Sequence, residues 1–171
     1  LGLTVAEKKE SREICFVPDN DYASFIKKRV SDENFHEGHI VNTNGERLGS
    51  HIGYPAFTIG QRKGLNIGGL KEPHYVTAID PDKNEITVGP KNNLYRSEFF
   101  ADKVNWCLPM REAFEAQVQI RYRHNGSAAK VIPLSEKRVR VEFLESQLSV
   151  TPGQSAVFYI DDQIVGGGWI E

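Results

Sequence analysis

The side chain best suited to nucleophilic chemistry in this sequence is the thiol of Cys15, because a thiolate is the strongest nucleophile a side chain offers near neutral pH and its reactivity is set by its surroundings. It sits in the short apolar run Ile14-Cys15-Phe16-Val17, ahead of Pro18. Lys8, Lys9 and Arg12 lie just upstream, where positive charge would lower the thiol pKa. A small buried hydrophobe between Ile14 and Phe16 would look the same, and the local sequence leaves both roles open. The other cysteine, Cys107, lies between Trp106 and Leu108-Pro109 and reads as a packing residue. Two cysteines without CxxC spacing, and five histidines without ligand spacing, argue against a metal site. A disulfide between them is not expected in a reducing cytosol.

A second set of groups could hold phosphate. Arg62 and Lys63 are adjacent in the glycine-punctuated stretch TIGQRKGLNIGG at 58–69, and glycines let a backbone approach a ligand closely. An interdomain loop with solvated charges is the equally good alternative. The net charge of −2 does not announce a nucleic-acid binder. Its distribution is uneven: between residues 111 and 140, Arg111, Arg121, Arg123, Lys130, Lys137, Arg138 and Arg140 outnumber Glu112, Glu115 and Glu136, a local excess of four positive charges. Gathered on one surface they would neutralise several phosphates; spread along strands they would be solvated.

The elements that must position these groups come in two kinds. Thr4 and Glu7 fit a capping box for a helix over residues 5–13, which would end just before Cys15. Asn20 or Asp21 can cap a second, amphipathic helix through Tyr22, Phe25, Ile26, Arg29 and Val30. Strands are expected at 38–42 and 47–51 around the hairpin signal Asn44-Gly45, closing a small α+β unit over residues 1–70. From residue 71 to 171 short strands recur between turn signals: 74–80 and 85–89 around Pro81-Asp82-Lys83-Asn84, then 99–106, 114–123, 129–134, 138–143, 155–160 and 163–165. Such spacing predicts a small closed antiparallel β-barrel, so the fold class is mainly β. Alternation puts Phe114, Ala116, Val118, Ile120 and Tyr122 on its core face and Gln117, Gln119, Arg121 and Arg123 outside, with Arg138, Arg140 and Glu142 also outward. Neighbouring outward arginines would form a basic strip. The glycine cluster at 166–168 reads as close backbone packing rather than a phosphate loop, and no P-loop or dinucleotide fingerprint is present.

Four ordered segments carry a family resemblance: AEKKESREICFV at 6–17, FTIGQRKGL at 57–65, VNW at 104–106 followed by RYRH at 121–124, and TPGQSAVFY at 151–159 with GGGWI at 166–170. Together they resemble the bacterial tRNA-uridine 2-sulfurtransferases, the 2-thiouridylases of the MnmA/TrmU family, in their central and C-terminal domains. Arg12 departs from the glutamine usual in the first segment. The resemblance implies that Cys15 carries sulfur as a persulfide and that a sulfur-donor protein, a cysteine desulfurase or a sulfur-relay protein, loads it. A second cysteine on another domain would then resolve the intermediate. It also implies that Arg121, Tyr122 and Gln154 contact tRNA; Arg123, Arg62 and Lys63 are the further candidate tRNA contacts. The family's ATP and Mg2+ belong to an N-terminal nucleotide-binding domain whose Ser-Gly-Gly-x-Asp-Ser loop this sequence does not match, so a fragment without a cofactor of its own, inactive alone, is expected. The family has also carried a methyltransferase label, yet no S-adenosylmethionine site is visible in the sequence. No apolar run reaches membrane-spanning length, and the expected setting is the cytoplasm, with tRNA as partner and no membrane. The competing readings are a β-barrel RNA-binding module with an inert cysteine, and a translation-factor-like barrel that contacts protein.

Overall fold

The computed structural model describes residues 22–29, 35–69, 72–122 and 124–171. Cys15, the helix expected over 5–13, Val30 and Arg123 lie outside the described residues. The second expected helix is present as α1 (Tyr22–Lys27). Its end is held by Arg29, whose guanidinium lies 3.6 Å from the Phe25 ring centroid and donates to the Phe25 carbonyl at 3.3 Å.

Strands β1 (Gly38–Asn42) and β2 (Arg47–His51) form the expected hairpin. Its turn is set by Asn42, whose Oδ1 accepts the amides of Asn44 and Glu46 at 2.9 Å each, and by Gly45 at φ 82, a conformation glycine adopts without penalty. Strands β3 (Tyr75–Asp80) and β4 (Glu85–Gly89) make a second hairpin around 81–84. Here the structure departs from the expected division at residue 70. Instead of joining the barrel, β4 pairs in parallel with β1, giving a four-stranded sheet ordered β2-β1-β4-β3. The reason is packing: Ile86 and Val88 are fully buried against Ile40, a pairing that strand spacing along the chain cannot reveal. The change of sheet falls between Gly89 and Tyr95.

Asn84 fixes that parallel junction. It takes a left-handed conformation (φ 50), its carbonyl accepts from the His39 amide and from His51 Nε2 at 3.2 Å each, and its Nδ2 donates to the carbonyls of His36 and Glu37 at 3.2 and 3.0 Å. Only glycine fits at 38, where a Cβ would lie 2.2 Å from the Asn84 oxygen. The Nδ1 of buried His51 accepts the Gly53 amide at 3.1 Å, so its proton sits on Nε2.

The second unit is the expected closed antiparallel barrel. Its strands are β5 (Tyr95–Trp106), β6 (Phe114–Gln119), β7 (Ser127–Pro133), β8 (Val139–Leu148), β9 (Ser155–Ile160) and β10 (Gln163–Ile170), in the cyclic order β10-β5-β8-β7-β6-β9. Its core is aliphatic, with Val118, Val131, Val139, Val141 and Phe158 fully buried. The glycine cluster lies within β10 rather than beyond its end, and it closes the barrel on both sides. A Cβ on Gly167 would stand 2.7 Å from the Ala156 carbonyl oxygen of β9, and one on Gly168 2.7 Å from the Asp102 carbonyl oxygen of β5. Gly168→Ala must therefore push two strand backbones apart, and a loss of about 1–3 kcal/mol in unfolding free energy is expected. An unchanged denaturation midpoint would contradict this account of the seam.

Burial holds the His51 imidazole below its ordinary pKa; the Asn84 carbonyl and Glu37 pull upward, and His39 and His36 add to the depression. The neutral form is the folded form, so the stability it contributes is present above the ordinary histidine value and drains away as pH falls below it, until the depressed folded value is passed. Denaturant titrations from pH 7.5 to 5 should show wild-type stability falling, with a shallower slope in His51→Gln.

Candidate nucleic-acid interface

Because every pairing in the barrel is antiparallel, successive connections alternate between its two ends. Register identifies them: Tyr95 pairs with Leu148, Ala101 with Ile170, and Gln119 with Val157. One end therefore holds the entry to β5, the β6–β7 turn at 120–126, the β8–β9 connection at 149–154 and the chain after Ile170. Arg121, Tyr122 and Gln154 all lie at this end. Cys107, the lower part of the 107–113 connection and the 134–138 turn lie at the other.

The β6 ladder stops at Gln119, four residues short of the expected 123. Ile120 is the last core residue, and the chain then turns, with the His124 amide donating to the Arg121 carbonyl at 2.9 Å. Tyr122 is consequently 72% exposed, not on the core face that strict alternation assigned it. Arg121 is half-buried, and its Nη1 donates to the Leu148 carbonyl at 2.9 Å. That contact uses one of five guanidinium N–H donors and aims the rest. Gln119 of β6 and Gln147 of β8 tie the same turn. Gln119 Nε2 donates to the carbonyls of Tyr122 and His124, and His124 Nε2 meets Gln147 Oε1 at 3.1 Å.

Gln154 sits in the 151–154 turn, its amide donating to Thr151 and its carbonyl accepting from Ile170. Its Oε1 is buried and unpartnered, as is His124 Nδ1. Gln147 Oε1 is the acceptor in the His124 contact, because Gln147 Nε2 donates to Glu145; the His124 proton thus sits on Nε2 and leaves Nδ1 a lone pair. Both atoms are buried, so what this end offers a ligand is the set of Arg121 N–H donors left over from the Leu148 contact, which suit phosphate.

Arg62 and Lys63 belong to a loop of the other unit, and Arg62 lines a hollow of that unit with Leu65, Asn66 and His74. Their loop is rooted on β3 by two main-chain bonds, Gly60 amide to Val76 carbonyl at 2.8 Å and Val76 amide to Gln61 carbonyl at 2.9 Å. It is closed by Gln61, whose side chain accepts from the Thr58 amide and donates to the Lys63 carbonyl. Both cations are exposed at its tip. The root packs on the barrel, where a Cβ on Gly60 (φ 87) would lie 2.8 Å from Ser149 Oγ. Ser149 follows Leu148, the acceptor of Arg121, and its amide donates to Leu94 at 3.0 Å. Beside this joint a cleft of about 810 Å³ separates the units, lined among others by Phe57, Ile59, Ile79, Phe99 and Val150.

The expected basic strip is not there. Arg138 pairs with Glu171 at 2.7 Å and Arg140 with Glu142 at 2.8 Å, and Lys130 lies directly across from both Glu115 and Glu142. Two of these acids lie outside the 111–140 window in which the positive excess was counted. Cys107, expected to pack, is exposed, at the end away from the candidate site. Gln119, Gln147 and Ser149 carried no distinguishing sequence signal, and His124 only its place in the RYRH segment; their roles arise from partners 3 to 89 positions away, as in Ser149 against Gly60.

Sequence comparison gives two consecutive domain matches. The tRNA methyl transferase PRC-barrel domain matches residues 23–90, and the aminomethyltransferase beta-barrel domain matches residues 96–170. Similar full-length proteins include the tRNA-specific 2-thiouridylase MnmA of Geotalea uraniireducens, 48% identical over 99% of this chain and 45% of the relative. Those of Chlorobium phaeobacteroides and Clostridium botulinum, the latter named MnmA 1, are 46% and 44% identical, over 99% and 100% of this chain and 48% of each relative. The chain spans about half the length of the curated relatives it matches.

The Gly60–Ser149 contact can be probed directly. Gly60→Ala combines a positive φ with a clash, so a loss of about 1–2 kcal/mol is expected. Adding Ser149→Ala removes the clashing oxygen and should recover part of that loss in the same denaturation assay; strict additivity would place the contact elsewhere.

Proposed function

The chain belongs to the tRNA-specific 2-thiouridylase family, and from that premise we propose that it forms the tRNA-gripping and sulfur-carrying part of an enzyme that replaces the 2-oxygen of the wobble uridine with sulfur. The observation that carries this reading is the gathering of Arg121, Tyr122 and Gln154 at one barrel end, against which the loop bearing Arg62 and Lys63 docks. Arg121 and, two positions on, Arg123 would hold phosphate, Tyr122 would stack on a base or sugar, and Gln154, its Oε1 being buried, would bond a sugar or base edge through its amide nitrogen. Arg62 and Lys63 would extend the phosphate contact across the joint.

In this reading the Cys15 thiolate takes the terminal sulfur of a donor protein's persulfide, the donor's own thiolate leaving. The terminal sulfur of the resulting persulfide attacks C2 of the uridine, whose oxygen, already activated as a leaving group, departs; the thiolate of the second cysteine that the resemblance implies then attacks Cys15 Sγ, forming a disulfide with it and leaving the transferred sulfur on C2. The family resemblance implies ATP and Mg2+ for that activation. Among the described residues no three His, Cys, Asp or Glu side chains gather to hold a metal, so these residues do not fit the ion. Although both matched domain descriptions speak of methyl or aminomethyl transfer, relatives named as thiouridylases align with nearly the whole chain, which favours sulfur chemistry. Among the described residues no helix is long and apolar enough to cross a membrane, and the cytoplasm, where tRNA is found, is the proposed place of work.

The test is the 2-thiouridine content of tRNA from cells in which the natural protein carries Cys15→Ser or, as control, Cys107→Ser. Thiolation should vanish in the first and persist in the second at equal protein level. Normal thiolation in the Cys15 variant would leave an RNA-binding barrel with an inert cysteine.

A further inference from the structure

The β6–β7 turn is held by a side chain that neither family resemblance nor alternation marks. We propose that Gln119 is a positioning residue for RNA binding, presetting the turn that carries Arg121 and Tyr122; this rests on the reading that the turn contacts tRNA. Gln119 is half-buried at the last position of β6. Its Nε2 donates to two carbonyls of the turn, Tyr122 at 3.2 Å and His124, while its Oε1 accepts from the Tyr159 hydroxyl of β9 at 3.4 Å. Two carbonyl acceptors at one end of the amide and a hydroxyl donor at the other fix its orientation, and every hydrogen of the amide is used.

The geometry makes Gln119 a staple rather than a contact. Its hydrogen bonds reach the main chain on either side of residue 123, so they determine where the exposed Tyr122 ring stands, and they are anchored through Tyr159 to the barrel wall. Arg121 is held separately by Leu148, and His124 by Gln147, so the turn stays attached to the barrel without Gln119. What goes is the tie between the barrel wall and the main chain at Tyr122 and His124. An aromatic platform that must be ordered at the moment of binding loses part of its stacking contribution to entropy; one ordered beforehand does not.

The experiment measures binding of an unmodified full-length tRNA transcript by fluorescence anisotropy to wild type, Gln119→Leu, Gln119→Glu, Tyr122→Ala, Lys63→Ala and the doubles of Gln119→Leu with each of the last two. Tyr122→Ala should weaken binding roughly fivefold or more, the loss of one stacked base. Gln119→Leu, which keeps the bulk and removes the hydrogen bonds, should weaken it about threefold, and Gln119→Glu, which sets a carboxylate against two carbonyls, at least as much. The double with Tyr122→Ala should bind no more weakly than Tyr122→Ala alone, whereas the double with Lys63→Ala should show the product of its single effects. A general loss of structure would not separate the two doubles in that way. Full multiplicativity with Tyr122→Ala, or unchanged binding in both Gln119 variants, would overturn the positioning role while leaving the turn as an RNA contact. Unchanged binding in Tyr122→Ala would overturn the RNA reading of the turn and this proposal with it.

Discussion

Two residues at the junction of β8 and the β8–β9 connection hold the candidate site together. The Leu148 carbonyl accepts Arg121, the Ser149 amide donates to Leu94 at the entry to the barrel, and Ser149 Oγ fills the space left open by Gly60. Ser149 does this in a left-handed conformation (φ 56), which costs a residue with a Cβ about 1–2 kcal/mol. Thr151, whose hydroxyl donates to the Ser149 carbonyl at 3.0 Å, helps to hold it there. Loop, turn and interdomain entry are thereby indexed to one short segment. Phosphate-binding groups from two separately built sheets can face one ligand only if something fixes the sheets relative to each other, and this segment is where they touch.

Charge tells a related story. The barrel wall is laced with pairs, Arg138 with Glu171 and Arg140 with Glu142, whose groups are partly exposed and contribute little to stability. Their effect is on the field, because they cancel the positive potential that a count along the chain suggests. The cations that the proposed reading uses are few and local: Arg121 in its half-buried seat, and Arg62 and Lys63 at a loop tip. A surface of this kind discriminates by the placement of a few groups and draws little on long-range attraction.

Legibility in the sequence followed the range of the interactions. The Asn44-Gly45 and 81–84 hairpins, the barrel strands and their core face through Ile120 depend on neighbours and alternation, and they were readable. The parallel pairing of β4 with β1 was not, because the Asn84 contacts that fix it span 33 to 48 positions. Tyr122 was misassigned because alternation holds only while the ladder lasts, and the end of a ladder is decided by its partner strand. Arg121 and Gln154 were picked out by family position, but their meeting at one end was not read, and the staple Gln119 looked like any outward glutamine.

That meeting was nevertheless implicit in the strand count. In an antiparallel barrel the connections alternate between ends, so the third and fifth, β6–β7 and β8–β9 counted with the entry as the first, must share an end with the entry to β5. The β5–β6 and β7–β8 connections must lie opposite. Applied to the positive window at 111–140, this parity assigns Arg111 and Lys137 to the far end with Cys107 and leaves Arg121 as the described cation of that window on the near side. A contiguous excess of charge is therefore a poor guide to a binding face in such a fold. The right window takes every second connection, and here it collects the arginine, the tyrosine, the glutamine and the joint to the neighbouring sheet.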